Sequence, residues 1–355
     1  MADKPAAAAG LFTQNLVRAA SVDYSHEVVK SGALRAVLVN SGNANCCTGA
    51  QGANDVRESA RLLAKALEIE PSEVAVASTG VIGKPLDMEK FAKGITAAPG
   101  ALGDDPHPFM EAILTTDLVE KKAQVQIGGG SIFGVAKGSG MIAPNMATML
   151  AFIVTDLEVD AADLQRALAQ ANEQSFSRLT IDGDTSTNDM LIALASGASG
   201  EKPDLAAFQE GMTEVCSSLA KQIARDGEGA TKLIEVRVTG SADPKRIART
   251  IAESLLVKSA MFGCDPNWGR ILAAAGRAGV DFEPEKAELR LICGDQCFLL
   301  CAGGATTGFD PKPVSAALKR EDVIIDCRLG EGETATVYTC DLGYGYIRIN
   351  AEYHT

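Results

Sequence analysis

The order of short apolar segments and helical patterns constrains the fold of this chain more than any other feature. Residues 37–40 and 74–77 have the pattern of short buried strands, and residues 55–67 between them have the periodicity of a helix. From about residue 287 onwards, most apolar segments are short and strand-like. Because strands and helices alternate early and strands cluster late, the sequence predicts an α/β fold, or an α+β sandwich, with mixed sheets and flanking helices.

The other predicted elements follow from the same periodicities. A hairpin is expected over residues 123–136 around three consecutive glycines, and a continuous apolar strand over residues 149–154. The predicted helices cover residues 160–176, 205–225 and 245–260. The predicted strands of the second half cover residues 233–238, 289–293, 297–301, 323–327, 334–340 and 346–350. No clean linker separates these elements, so the pattern does not fix domain boundaries.

The net charge argues against two classes of partner. The 355 residues carry a formal net charge of −13, which repels phosphate backbones and anionic lipid surfaces, so neither nucleic acid nor a membrane is expected. No apolar run approaches the about 18 residues that a membrane helix needs, and the N-terminus lacks a secretory-signal pattern. We expect a cytoplasmic protein, or one of the plastid or mitochondrial matrix if it is eukaryotic and its transit peptide is missing.

Three of the nine cysteines recur every fourth residue, at Cys293, Cys297 and Cys301, and suggest a metal site. The apolar segment 297–301 has a strand pattern, however, and residues four apart on a strand are separated by about 13 Å. The three histidines show no ligand spacing either. We therefore expect reduced, mostly buried thiols in a reducing compartment and no bound metal.

The segment KGSGMIAPNMATML, residues 137–150, carries the most chemical information. It leads a small residue, Ala147, to a hydroxyl residue, Thr148, at the start of an apolar strand. The Thr148 hydroxyl could attack the Ala147 carbonyl, and hydrolysis of the resulting ester would free an α-amine. Such an amine has a pKa of about 7.7–8.0, so it can serve as the base that activates the adjacent hydroxyl. From the residues alone, the simpler interpretation is that Thr148 begins a strand because it is β-branched.

Two further polar clusters have both a functional and an ordinary interpretation. Thr79 and Gly80 follow a predicted strand, where a hydroxyl and a backbone N–H could lie side by side as an oxyanion hole, or form an ordinary polar turn. The acidic residues Asp182, Asp184 and Asp189 suggest a metal, but the serine and threonines between them favour hydrogen-bonded turns.

Nine motifs spread in order over essentially the whole chain resemble the ornithine acetyltransferase family, the bifunctional glutamate N-acetyltransferases of arginine biosynthesis. They are AAGLFTQN near the start, VNSGNAN at 39–45, ASTGVIG at 77–83, ILTTD at 113–117, KGSGMIAPNMATML at 137–150, IDGDTSTND at 181–189, DGEGATKLIEV at 226–236, GCDPNWGRI at 263–271 and YIRINAEYHT at 346–355. Members usually carry a further strand-rich segment before the first motif, so we expect either a trimmed N-terminus or a differently formed sheet edge.

The resemblance implies a self-cleaving enzyme with an N-terminal-nucleophile-like acetyltransferase fold. Thr148 would be the nucleophile and the Ala147–Thr148 bond the cleavage site, with Thr79 and Gly80 as the oxyanion hole. Cleavage would give an α chain of residues 1–147 and a β chain of residues 148–355. These chains are expected to fold together into one catalytic unit and to assemble as a heterotetramer of two αβ pairs.

The resemblance also implies which residues bind the substrates. These residues are Thr115, Lys137, Thr148, Glu228, Asn350 and Thr355. Because the substrate is zwitterionic, Lys137 would take the α-carboxylate and Glu228 an ammonium group. Without the family, Lys137 would be interpreted as a solvated loop cation, Glu228 as a carboxylate at a helix start and Asn350 as a strand-end residue.

The implied reaction is ping-pong acetyl transfer without a cofactor. N-acetylornithine would acetylate Thr148, ornithine would leave, and glutamate would accept the acetyl group. The resemblance also allows acetyl-CoA as a second donor. Two alternatives remain open, namely an N-terminal-nucleophile amidase or aminopeptidase in which water takes the acyl group, and a catalytically silent binding or assembly protein.

Overall fold

The computed structural model describes residues 1–143 and 149–352. The chain forms two compact units, and each is described here by itself. Among the described residues, the first unit comprises 1–143, 149–177 and 185–223, and the second comprises 178–184 and 224–352. Of the described helices, none combines the length and the apolar character required of a bilayer span.

The first unit contains eight strands and six α-helices among its described residues. The strands are β1 (Ala6–Phe12), β2 (Ala33–Leu34), β3 (Ala36–Asn40), β4 (Val74–Ser78), β5 (Lys121–Ile127), β6 (Gly130–Lys137), β7 (Leu150–Thr155) and β8 (Met190–Ala195). The helices are α1 (Ala20–Val29), α2 (Gly49–Leu67), α3 (Met88–Ala97), α4 (His107–Ala112), α5 (Ala161–Gln174) and α6 (Leu205–Arg225), of which the last belongs to this unit up to Ile223.

Two sheets organise the first unit. Six strands form a mixed sheet in the order β2-β1-β8-β7-β6-β5, in which only the β7–β8 pair is parallel. Strands β3 and β4 form a separate parallel pair, in register from Ala36 opposite Val74 to Asn40 opposite Ser78. Every residue of β4 is buried, as expected for a strand covered on both faces, and helices α1 and α2 pack against it.

The second unit contains one mixed sheet and five α-helices among its described residues. The strands are β9 (Leu233–Thr239), β10 (Glu288–Cys293), β11 (Gln296–Ala302), β12 (Ala305–Thr306), β13 (Asp322–Arg328) and β14 (Thr334–Cys340), ordered β12-β11-β10-β13-β9-β14. The helices are α7 (Pro244–Ala252), α8 (Leu255–Phe262), α9 (Trp268–Gly276), α10 (Pro311–Ala317) and α11 (Tyr344–Glu352). An apolar core packs this sheet against helices α7 to α10. The predicted mixed α/β class is therefore confirmed.

The single helix predicted over residues 245–260 is wrong. The structure has two helices there, because α7 ends at Ala252 and α8 begins at Leu255. Between them, the Ser254 side chain accepts a hydrogen bond from the Val257 N–H and caps the second helix. Ser254 has an extended backbone, which ends α7, and its side chain satisfies one of the unpaired donors at the start of α8.

The strand predicted over residues 346–350 is also wrong, because these residues lie in α11. Ile347 and Ile349 flank an arginine, and this apolar–polar alternation indicates a strand only where one face of the segment is buried. None of the nine residues of α11 is buried, so no buried face selects that period. The Asn350 side chain donates to the Tyr346 carbonyl one helical turn earlier.

Candidate active site

Thr79 and Gly80 follow β4 directly, at the strand-to-turn junction expected from the sequence. The Thr79 N–H donates to the Asn40 carbonyl at the end of β3. Gly80 has φ +128, and a Cβ added there would collide with the backbone of Gly42 and Asn43. Only glycine fits this close approach, so the sequence ASTG fixes the backbone of the turn as well as supplying its hydroxyl.

Asn188, two residues before β8, holds this turn in place. Its buried side-chain amide donates to the carbonyls of Ala44, at 2.7 Å, and Ser78, at 2.8 Å. Both acceptors lie in the β3–β4 region, one of them directly before Thr79. Sequence reasoning missed this residue, although it lies in the IDGDTSTND motif.

Lys137 is the last residue of β6 and is 7% exposed, so it is not a solvated loop cation. Its ammonium nitrogen lies 2.7 Å from the Thr115 hydroxyl and 3.3 Å from the Thr79 hydroxyl. The structure therefore brings together three of the residues that the resemblance implied. An ammonium only donates hydrogen bonds, so both hydroxyl oxygens act as acceptors toward it and keep their own hydrogens for other partners.

Asp117 supports this group and was also missed, although it closes the ILTTD motif. Its side chain is 0% exposed and forms ion pairs with Lys121 at 2.8 Å and Lys137 at 3.8 Å. Burial favours the neutral acid, but the two ammonium charges and the Gly138 N–H hydrogen bond outweigh it and lower the pKa of Asp117. The carboxylate is thus the charged form in the folded protein near neutral pH.

Asp189 is a second buried carboxyl, at the start of β8. It is 2% exposed, and its Oδ2 atom has no hydrogen-bond partner among the described residues. Burial raises the pKa of Asp189 well above its usual range, and the nearby Ser186 and Thr13 hydroxyls and the Lys137 charge offset only part of this effect. No group of three His, Cys, Asp or Glu side chains in the described ranges is placed to hold a metal ion.

Glu228 and Asn350 come together in the second unit. Glu228 is 8% exposed and lies in the turn after α6, not at a helix start as the sequence alone would suggest. The Asn350 amide donates to the Glu228 carboxylate at 2.6 Å. A Cβ at Gly229 would collide with the backbone of Gly345 and Tyr346, so this glycine lets α11 approach the turn.

Two further carboxylates, Asp182 and Asp184, lie near Tyr346 of α11. The Tyr346 hydroxyl lies 3.4 Å from the Asp182 carboxylate. Burial, together with the charges of Asp182, Glu228 and Asp184, raises the pKa of Tyr346. Such a cluster favours a cationic group over an anionic one. The remaining implied residues, Ala147, Thr148 and Thr355, lie outside the described residues.

Comparison with known proteins identifies similar chains over the full length. A model of the ArgJ family matches residues 1–355. The arginine biosynthesis bifunctional protein ArgJ of Symbiobacterium thermophilum is 48% identical over 366 residues, which covers 99% of this chain and 90% of the relative. The protein of the same name from Thermus thermophilus is 48% identical over 357 residues, covering 99% and 91%.

A solved structure is also similar. The crystal structure of arginine biosynthesis bifunctional protein argJ from Bacillus halodurans is 42% identical in sequence and superimposes with a TM-score of 0.54. The superposition covers 57% of this chain and 98% of that chain.

Proposed function

The chain belongs to the ArgJ family, which makes it an acetyltransferase of arginine biosynthesis, and we propose that it moves an acetyl group from N-acetylornithine to glutamate through an acetyl ester on Thr148. The observation that carries this proposal is the buried Lys137 ammonium beside the Thr79 and Thr115 hydroxyls. Acetyl transfer between amino acids calls for donors to a developing oxyanion and a cation for the substrate carboxylate, and these side chains are of the types that suit both roles.

The proposed reaction begins with self-cleavage. The Thr148 hydroxyl attacks the Ala147 carbonyl, the peptide C–N bond breaks, and water hydrolyses the ester. Residues 1–147 and 148–355 then stay together as an αβ pair, and we expect two such pairs in the assembly. The freed α-amine of Thr148 has a pKa of about 7.7–8.0 in model compounds, so near neutral pH a useful fraction is the free base.

Acetyl transfer then uses the same hydroxyl twice. The α-amine takes the Thr148 hydroxyl proton as the oxygen attacks the acetyl carbonyl of N-acetylornithine. The Thr79 hydroxyl and the Gly80 N–H donate to the resulting oxyanion, which lowers the barrier by about 3–4 kcal/mol per donor in comparable sites. The C–N bond breaks and ornithine leaves with the proton. The glutamate amine then attacks the acetyl ester and restores free Thr148.

The substrates are recognised by the charges that they carry. Lys137 binds the α-carboxylate common to ornithine and glutamate, and Thr115 and Thr355 add hydrogen bonds. Glu228, oriented by Asn350, binds an ammonium group of the ornithine moiety. The burial of the Glu228 carboxylate supports this assignment, since an ammonium ligand would supply a charge partner for it.

Compartment and cofactor use are part of the same proposal. All nine cysteines lie in the described ranges and are free thiols, which supports a reducing compartment such as the cytoplasm. The proposed mechanism needs no cofactor, because the nucleophile, the base and the oxyanion donors are protein groups. Acetyl-CoA remains a candidate second donor, and formation of N-acetylglutamate from acetyl-CoA and glutamate by the purified enzyme tests it.

The deciding experiment is incubation of the purified protein with acetyl-labelled N-acetylornithine, with and without glutamate. Transfer predicts labelled N-acetylglutamate in the presence of glutamate and little free acetate in its absence. Free acetate formed at the same rate in both reactions would instead identify a hydrolase of the amidase or aminopeptidase kind. Protein that forms neither product would favour the binding or assembly role.

A further inference from the structure

The two oxygens of the buried Asp117 carboxylate face different partners in the first unit. Oδ1 accepts from the Lys121 ammonium at 2.8 Å and from the Gly138 N–H at 2.5 Å. Oδ2 accepts from the Thr115 N–H at 3.2 Å and lies 3.5 Å from the Thr115 hydroxyl. It also lies 3.8 Å from the Lys137 ammonium. One oxygen is therefore anchored in the fold, and the other faces two of the proposed substrate-binding residues.

We propose that Asp117 is a positioning residue, which acts through Lys137 to keep the ammonium group against the hydroxyls of Thr115 and Thr79. This inference rests on the proposed function, since it assigns a further residue to the same site. Asp117 touches neither the substrate nor the reacting atoms in this scheme. Its contribution reaches the reaction only through the side chains that it holds.

The hydrogen bonds have a direction that supports this role. Because an ammonium can only donate, the Thr115 oxygen accepts from Lys137, and its own hydrogen is available to Asp117 Oδ2. Lys137 therefore touches the carboxylate directly as an ion pair and indirectly through Thr115. Loss of the negative charge removes the ion pair and weakens the contact through Thr115, so Lys137 is held less firmly against the two hydroxyls.

In a purely structural alternative, Asp117 serves only as the ion-pair partner of Lys121, because it lies closer to the Lys121 ammonium than to that of Lys137. Both side chains are 0% exposed, and a buried charge without a partner destabilises a fold strongly. Asp117→Asn by itself leaves two buried ammonium groups facing a neutral amide, so it tests folding as well as positioning. The test therefore needs a variant that keeps the charge of the group constant.

The double variant Asp117→Asn with Lys121→Met meets this requirement. It removes one negative and one positive charge, and it leaves Lys137 and both hydroxyls in place. Lys121→Met alone is the matched control, because it removes the same cation and keeps the Asp117–Lys137 pair. Thermal unfolding of both variants measures how much of each effect is structural.

The readout is kcat and KM for acetyl transfer with N-acetylornithine and with glutamate. We expect Lys121→Met to stay within about threefold of the parent and the double variant to lose about 10- to 100-fold in kcat/KM, the usual range for a charge-assisted contact. Most of the loss should appear as a higher KM for both substrates, because Lys137 reads their common carboxylate. A merely structural defect would lower the active fraction, and therefore kcat, and leave KM unchanged.

Lys137→Met in the background of the double variant completes the test. If Asp117 acts through Lys137, Lys137→Met should lower kcat/KM much less in the double variant than in the parent enzyme. The inference would be overturned if Lys137→Met lowered kcat/KM by the same factor in the double variant as in the parent. Parental KM values in the double variant would overturn it as well.

Ornithine binding measured by calorimetry on the same proteins separates this result from a failure of the proposed function. A parent enzyme without acetyl transfer contradicts the proposed function, whereas unchanged ornithine affinity in the double variant contradicts the role of Asp117.

Discussion

The ammonium nitrogen of Lys137 lies 3.3 Å from the hydroxyl oxygen of Thr79 and donates a hydrogen bond to it. This contact joins the end of β6 to the turn after β4. Since Thr79 accepts from Lys137, its own hydroxyl hydrogen is directed elsewhere, which is what a donor to an oxyanion requires. The relationship links the proposed carboxylate-binding residue to the proposed oxyanion hole.

Replacing Thr79 tests the oxyanion role. Thr79→Ala should lower kcat by about 10²–10³ with little change in KM, because the donor acts mainly in the transition state. Thr79→Ser is the matched control and should retain most of the activity, since it keeps the hydroxyl. Equal kcat values for the alanine variant and the parent, in folded and cleaved protein, would remove Thr79 from this role.

The backbone of Gly80 can be tested against that of Gly83. Both residues have a positive φ, +128 and +79, so alanine should strain each turn by about 1–3 kcal/mol. At Gly80 the new Cβ also meets the backbone of Gly42, whereas at Gly83 no atom lies within 4 Å. We expect Gly80→Ala to lower the free energy of unfolding more than Gly83→Ala does, and to lower kcat much more. Similar losses in both variants, measured by denaturant unfolding and turnover, would show that the close approach is unimportant.

Charge removal at Glu228 tests substrate recognition. Glu228→Gln should weaken N-acetylornithine binding by about 2–5 kcal/mol, because the substrate ammonium loses its buried partner. The glutamine oxygen can still accept from Asn350, so the packing is preserved. Glu331→Gln, at an exposed turn position, removes the same charge and should leave binding unchanged. Parental affinity in Glu228→Gln would make Glu228 a structural carboxylate.

The raised pKa of Asp189 predicts a pH dependence of stability. Between the unfolded-state pKa of about 4 and the higher folded-state pKa, the folded protein binds more protons than the unfolded chain. The stability that protonated Asp189 contributes is therefore lost as pH rises. One such group changes the free energy of unfolding by up to about 1.4 kcal/mol per pH unit. Asp189→Asn should therefore gain stability relative to the parent as pH rises from about 4 to about 7. Asp104→Asn, which removes an exposed carboxylate, is the matched control. Parallel curves for Asp189→Asn, measured by denaturant unfolding at each pH, would contradict the assignment.

Much of the fold could be predicted from the sequence because its elements have clear periods. The buried pair β3 and β4 and the long amphipathic α6 were predicted within a residue or two of their observed bounds. Strand β1 was not, since its alanine run carries no strand period. The break between α7 and α8 and the helical state of α11 also escaped, because they depend on one capping serine and on the lack of a buried face.

The candidate site was predictable only in part. The resemblance supplied Thr79, Thr115 and Lys137, and the structure brings these three side chains together. The burial of Lys137 and the supporting roles of Asp117 and Asn188 could not be predicted, because they arise from contacts between segments distant in sequence. A motif indicates which residues matter, but a single sequence does not say which of them touch.

Intact-protein mass spectrometry under denaturing conditions, after incubation with N-acetylornithine alone, tests the central claim most directly. We predict two chains, residues 1–147 and residues 148–355, of which the second begins Thr-Met-Leu-Ala-Phe and is heavier by one acetyl group. Glutamate added before denaturation should return that chain to its unmodified mass. A single uncut chain, or an unmodified second chain, in a preparation that transfers acetyl groups would contradict Thr148 as the acetyl carrier.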